Sequence, residues 1–500
     1  MSILAVPLIL LSNLAQSPAP IPRDLVARAV AAMGGETAVR GVRGAAVDFY
    51  QVIFGLGQEE TPGSPPRANL IIGKQVTDYA GNRALITTEG RNPTGAVTKT
   101  RRVIANSIGL LETNGVPAPD NPGQVANVER FIRRTPERLL ITALDNPAAL
   151  RALPVRRWRD EPVDGVRYAA GPDTLDLYFD RRSGLLVLTE TLTDDPILGD
   201  RVTRTAFTRW QDAGGVLLSR QIDITVNDRL QTHTVATAIS ANPALSDTMF
   251  VIPDSIASRA QRSNPTPPPI VVTLVELAPN IWRAEGGTHH SLVVDQGTRL
   301  LVVEAPLSAI RMEAVLDTLR SRFPGKPVGI VINTHHHWDH AGGLRAALAA
   351  GVPVVTHARN VSFVRSIATA SKTVRPDVLS RRLGPARPRP PTISAFEDSL
   401  IVGAGDSRVI AYRFPTAHAE GVVVVYVPSA KILFQSDIVN VNPPTPPATA
   451  APTPPAAGSA ELVRFAQARG LAVERVAGGH GVVVPWADIE RAATAPTPAP

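Results

Sequence analysis

No cysteine occurs among the 500 residues. Disulfides are therefore excluded, and so is any zinc site that needs a thiolate ligand. No apolar run is long enough to cross a bilayer comfortably. The strongest candidate, Ile3–Ala15, falls short of the ~20 residues a spanning helix requires. The chain has no cluster of Lys or Arg with interleaved aromatics, so no nucleic-acid partner is expected although the net charge is +7. No serine nucleophile elbow is found, and a cysteine nucleophile cannot exist. No internal repeat of fixed period is seen.

What is present reads as globular. Apolar residues make up 44% and charged residues 19%, which is a folding rather than a disordered composition. The length exceeds one ordinary core and points to two or three domains. The run Ile3–Ala15, followed by Gln16, Ser17 and Pro18, has the form of a signal-peptide core within residues 1–17. No basic residue precedes it, and Asn13 is a poor residue three places before a cut at Ala15. The expectation is an exported, periplasmic or secreted product, soluble because no lipid-attachment cysteine is available.

Along the chain, Asp24–Met33 has helical spacing, with Asp24 expected to cap it and Gly34–Gly35 to end it. From Gly41 to Ile252 the pattern is mostly strand-like. Thr174–Phe179 and Leu185–Thr189 flank a short polar turn and predict a hairpin. One helix is expected to interrupt the strands, opened by Thr135–Pro136 and burying Leu139, Leu140, Ala143 and Leu144. Residues 20–255 are thus expected to form a mostly-β domain, faintly half-barrel-like, with no evident chemistry. Ser263–Pro269 is proline-rich, and a stiff linker is placed at residues 256–272. Beyond it the pattern becomes α/β: strands at Leu300–Glu304, Val328–Asn333 and Pro353–Thr356 alternate with helices at Ser308–Arg322 and Gly342–Ala350. Residues 273–490 are assigned to this domain, and 491–500 to a low-complexity tail. Pro443–Pro455 is a further Pro/Ala/Thr tract in which no regular element is expected.

Nine of the ten histidines fall between His289 and His480, so a metal site, if there is one, belongs to the second domain. Thr334–Gly343 follows a strand, precedes a helix and contains His335-x-His337-x-Asp339-His340. Four such ligands in six residues cannot reach one small ion from a regular element, but on a tight loop they can divide between two ions. Imidazole and carboxylate are what zinc takes when thiolate is absent. Further ligands stand near strand ends: His418 before Val422–Val427, Asp437 after Ile432–Ser436, and His480 in the glycine-rich turn before Val482–Val484.

This order of residues resembles the metallo-β-lactamase-fold hydrolases over about residues 274–490. The resemblance implies an αββα sandwich. It makes His335, His337 and His418 ligands of a first metal, Asp339, His340 and His480 ligands of a second, and Asp437 the bridge. It implies two Zn2+, with iron or manganese as alternatives, and a hydroxide shared between them that attacks an ester, lactone, thioester or amide of a small-molecule substrate. Asp339 is expected to orient that hydroxide. The missing cysteine and the aspartate bridge point to the branch of lactonases, thioesterases, glyoxalase-II-like enzymes and phosphodiesterases. Phosphodiester cleavage is one alternative; an iron-dependent sulfur oxygenase and a non-catalytic apolar-ligand carrier are two others. Glu304, where Asp is frequent in the family, is either a support of the metal loop or a surface carboxylate. His289 or His290 is a candidate substrate contact, and Trp338 a candidate pocket wall. His336 and His357 are expected to play structural parts.

Overall fold

The computed structural model describes residues 21–92, 95–170, 173–261, 269–382, 390–442 and 454–495. The signal-peptide reading of residues 1–17, the centre of the expected linker and nearly all of the Pro443–Pro455 tract lie outside them.

Residues 44–241 supply a thirteen-stranded antiparallel sheet. Two meanders build it, one outward from Gly44–Phe54 and one inward to Arg229–Ala241, and these two strands pair at its centre. Strand Ala68–Asp78 is covered at one end only: Ile72 is exposed while Val76, on the same face, is buried. Helices Pro22–Ala32 and Pro136–Asp145 close one apolar cluster with Leu177, Phe179 and Leu186. The expected hairpin is present as Asp173–Asp180 against Leu186–Asp195.

Four expectations are corrected. Asp24 does not cap the first helix; Pro22 opens it behind Ile21, and Asp24 lies in its first turn. The strands are interrupted by two successive helices, because Pro122–Arg134 precedes Pro136–Asp145. Residues 256–261 are not linker: they belong to helix Asp254–Gln261, whose Ile256 is buried with Val103 and Leu110. The last helix, Trp486–Ala493, runs into the expected tail.

The remainder is a four-layer α/β sandwich. A seven-stranded sheet begins with four antiparallel strands, Thr273–Ala278 to Leu300–Val303, and continues in parallel through Val328–Ile332, Val354–His357 and Ile393–Phe396. A six-stranded sheet faces it, mostly antiparallel, with Ile432–Gln435 and Arg475–Gly478 parallel. Side chains alternate across a strand, and here both faces find apolar partners. Leu292, Val294, Leu301 and Val303 point between the sheets, where they meet Val423, Val425 and Val427. Val293 and Val302 point outward to helix Ala309–Arg322 and its neighbours. Val422, Val424 and Tyr426 point the other way, to helices Ala456–Ala468 and Trp486–Ala493. Strands buried on both faces read as unbroken apolar runs, as Val422–Val427 does. Among the described residues, no helix is long and apolar enough to cross a membrane.

Candidate metal centre

The candidate ligands stand where strands stop. Glu304 follows Leu300–Val303, His335 and His337 follow Val328–Ile332, Asp437 follows Ile432–Gln435 and His480 follows Arg475–Gly478. Carboxyl ends of neighbouring strands, with the loops beyond them, make one concave edge. Asp339 and His340 lie on the short turn Trp338–Ala341.

Asp437 occupies the middle. Its Oδ2 is 2.8 Å from His340 Nε2, 3.1 Å from His418 Nε2 and 3.3 Å from His335 Nε2, and its Oδ1 is 2.9 Å from His480 Nε2. Burial alone would raise its pKa; the four imidazoles outweigh that and hold the carboxylate far below its usual range. Glu304, His335 and His340 form one three-membered group, and around Asp437 stand two four-membered His/Asp groups, each with its ligand atoms within 4.8 Å of one another. One is His335, His337, His418 and Asp437; the other is His289, Asp339, His340 and His480. All seven residues singled out in the sequence are therefore brought together. His289 joins them, with Nε2 3.3 Å from Asp339 Oδ2. The sequence offered it as a candidate substrate contact and not as a ligand.

The supports are specific. Glu304 is fully buried, so the surface-carboxylate reading is ruled out. It accepts hydrogen bonds from Thr334 Oγ1 (2.8 Å), Ser436 Oγ (2.8 Å) and His340 Nδ1. The last of these leaves His340 Nε2 facing Asp437. Burial disfavours the charged form of His340, but Glu304 and Asp437 overcome it and lift the pKa well above the imidazole range. His335 goes the other way, lowered by burial and by His340. Glu304 and Asp437 both take positive φ, +75° and +66°. For non-glycine residues this conformation costs roughly 1–2 kcal/mol, which the surrounding hydrogen bonds must offset. Gly479 permits the closest approach: a Cβ there would stand 2.3 Å from Ser436 Oγ and 2.5 Å from Glu304 Oε2.

Burial, then His418, lowers the pKa of His337 to about 3. Its Nε2 lies 2.9 Å from the Glu59 carbonyl, and an imidazole nitrogen meeting a carbonyl must carry the proton. Its Nδ1 is bare, buried and without a hydrogen-bond partner. Elsewhere, imidazole nitrogens face each other at 3.2 Å (His480 and His340) and 3.4 Å (His418 and His335). A bare buried nitrogen and imidazole nitrogens crowded around one carboxylate are what a divalent cation would satisfy, so the donor set fits metal ions.

Other histidines fall outside both groups. His336 Nε2 donates to the Glu59 carbonyl at 3.0 Å. His357 Nδ1 accepts from Arg359 N. The backbone N of His290 donates to the Gly479 carbonyl, and burial lowers the His290 pKa to about 4. Trp338 packs on the outer core of the seven-stranded sheet. Arg311 went unnoticed in the sequence. It is fully buried and ties the loop before His289 in place through the Gly286 and Ala284 carbonyls, 3.0 Å each.

The model of the metallo-beta-lactamase superfamily matches residues 284–480, and this part of the chain carries that superfamily's fold. Among solved structures, the chain is similar to a metallo-beta-lactamase from Pontibacter korlensis, 21% identical, with TM-score 0.32, covering 44% of this chain and 95% of that one. The mono-zinc form of the metallo-beta-lactamase FIM-1 from Pseudomonas aeruginosa is 16% identical, with TM-score 0.32, covering 45% and 95%. A curated relative, the 2,4-dinitroanisole O-demethylase subunit alpha of Nocardioides sp. (strain JS1661), is 24% identical over 164 residues. That match covers 33% of this chain and 45% of the relative, so the chain spans less than half of the relative's length.

Proposed function

We propose that the chain is a hydrolase using two divalent cations, zinc before iron or manganese, to cleave an electrophilic bond in a small molecule. The observation that carries this is the Asp437 carboxylate set among four imidazole nitrogens, between two His/Asp groups. In this reading His335, His337 and His418 hold the first cation. Asp339, His340 and His480 hold the second, with His289 as a further donor, and Asp437 lies between. Bound there, such ions supply Lewis acidity that draws the pKa of water toward neutrality and polarises the oxygen of the substrate.

The chain's own groups do the rest. Asp339 stays ionised: burial opposes this, but His289 and His340 outweigh it and keep the carboxyl well below its usual range. It is partly exposed at the cleft, where it orients the attacking water. Glu304 fixes the ring of His340, and the Glu59 carbonyl fixes that of His337. The bond is an ester, lactone, thioester or amide, with a phosphodiester as the next class. The O-demethylase relative favours a second reading, in which an activated aryl methyl ether is the bond broken.

Elemental mass spectrometry of the unsupplemented protein is expected to find about two zinc per chain. Turnover on nitrophenyl esters, lactones, thioesters, amides or dinitroanisole should vanish with chelator and return with zinc. No bound metal after reloading, or turnover indifferent to chelator, sinks the reading; one iron with oxygen consumption transfers it to the oxygenase class. We also propose export, supported by the apolar run Ile3–Ala15; a Met1 retained in cell fractions would refute it.

A further inference from the structure

The segment between strands Gly44–Phe54 and Ala68–Asp78 leaves the large sheet and enters the metal cleft. Its contacts fall on the site itself. Gln58 Nε2 donates to Asp339 Oδ1 at 2.8 Å. The Glu59 carbonyl accepts from both His337 and His336. The Gly57 carbonyl accepts from Trp338 N at 3.2 Å, and Glu420 N donates to the Glu60 carbonyl at 2.7 Å. Arg67 donates to the carbonyls of Ala417 and His418 at 2.8 and 3.1 Å.

Two features show a built contact. Glu59 is 2% exposed, and its side chain is anchored by Arg229 at the opening of the sheet's last strand. Gly57 lies at φ +81° against the Trp338 ring, which a Cβ would approach to 2.1 Å.

We infer that this segment of the first sheet is part of the metal centre, with Gln58 and the Glu59 carbonyl as positioning groups for the second and first cation respectively. The inference rests on the two-cation reading above. A ligand's other polar atom decides its tautomer, its angle and its basicity, and losing such a partner typically weakens metal binding 10–100-fold. The Glu59 carbonyl does this for His337: with Nε2–H held, Nδ1 is the nitrogen left for the cation. Gln58 does it for Asp339, whose Oδ1 is held while Oδ2 faces His289 and His340. A donor to a carboxylate is also one of the stronger neutral partners it can have. The large sheet is thus not a passive neighbour; it supplies groups that the sandwich lacks at this edge.

The test is a zinc titration of the full chain against a competing chromophoric chelator, with the metal-free melting temperature measured alongside. Gln58→Met keeps the size and loses the donor. Its second zinc is expected to bind about 10–100-fold more weakly, with the first zinc and the metal-free melting temperature unchanged. Gly57→Ala pushes the segment off Trp338 and is expected to weaken both zincs. Gln58→Met binding both zincs like the native chain overturns the inference while leaving the two-cation reading intact. So does a lowered metal-free melting temperature without any change in zinc affinity, which marks a docking contact only. A native chain that binds no zinc overturns both.

Discussion

The two halves use strands differently. In the sandwich, Val422–Val427 and Leu300–Val303 are buried on both faces, and their ends open into loops that carry the histidines and carboxylates. In the thirteen-stranded sheet, Ala68–Asp78 has one end largely exposed and the other buried. A strand packed on both sides along its whole length is a rigid mount; one packed at one end only has solvent to spare at the other. Chemistry that needs several groups held together belongs on the first kind. The second kind can send out a long loop without disturbing its own core, and the Gly55–Arg67 segment is such a loop.

This comparison can be broken at three levels. The largest effect is expected at the site. Asp437→Ala should lower turnover by about a thousandfold or more, since several kcal/mol of charge stabilisation go with the centre. Circular dichroism and the melting temperature should show the fold retained; near-native turnover would remove Asp437 from the middle of the scheme. Next comes the core of the mount. Leu292 is fully buried between the sheets, and Leu292→Ala should cost about 2–5 kcal/mol in urea unfolding. The smallest effect is expected at the open end of strand Ala68–Asp78. Ile72 is 62% exposed, so Ile72→Ala should stay within about 0.5 kcal/mol. An Ile72 cost matching that of Leu292 would mean that this end is covered in solution.

Legibility followed the same divide. Val422–Val427 and Val328–Ile332 stand out because both faces are apolar, and the ligands next to them could be found by position alone. The helix Pro122–Arg134 was hidden because its buried residues are few, Val125 and Ile132, among many polar ones. The helix Ala456–Ala468 begins directly behind proline at Pro455, so it was masked by the low-complexity tract before it. Glu304 was ambiguous because a carboxylate at a strand end looks alike whether it faces solvent or His340. Gln58 and Arg311 carried no local signal. Gln58 lies 281 residues from Asp339, and nothing in Gly57-Gln58-Glu59 advertises a metal centre.

The pairing at the middle of the large sheet has a temporal consequence. Gly44–Phe54 pairs with Arg229–Ala241, so Gln51 meets Thr234 across 183 positions of chain. Contacts of such separation are slow to form, because a long loop must close before any of them is rewarded. During synthesis the first meander must wait, with one edge unpaired, until Ala241 has left the ribosome. The root of the Gly55–Arg67 loop is closed earlier by the pairing of Phe54 with Ala68, but Arg229, which anchors Glu59, and the partners at Asp339 and His418 emerge much later. The metal centre therefore cannot be complete until His480 is made, although its first contributor, Gln58, precedes Asp339 by 281 residues.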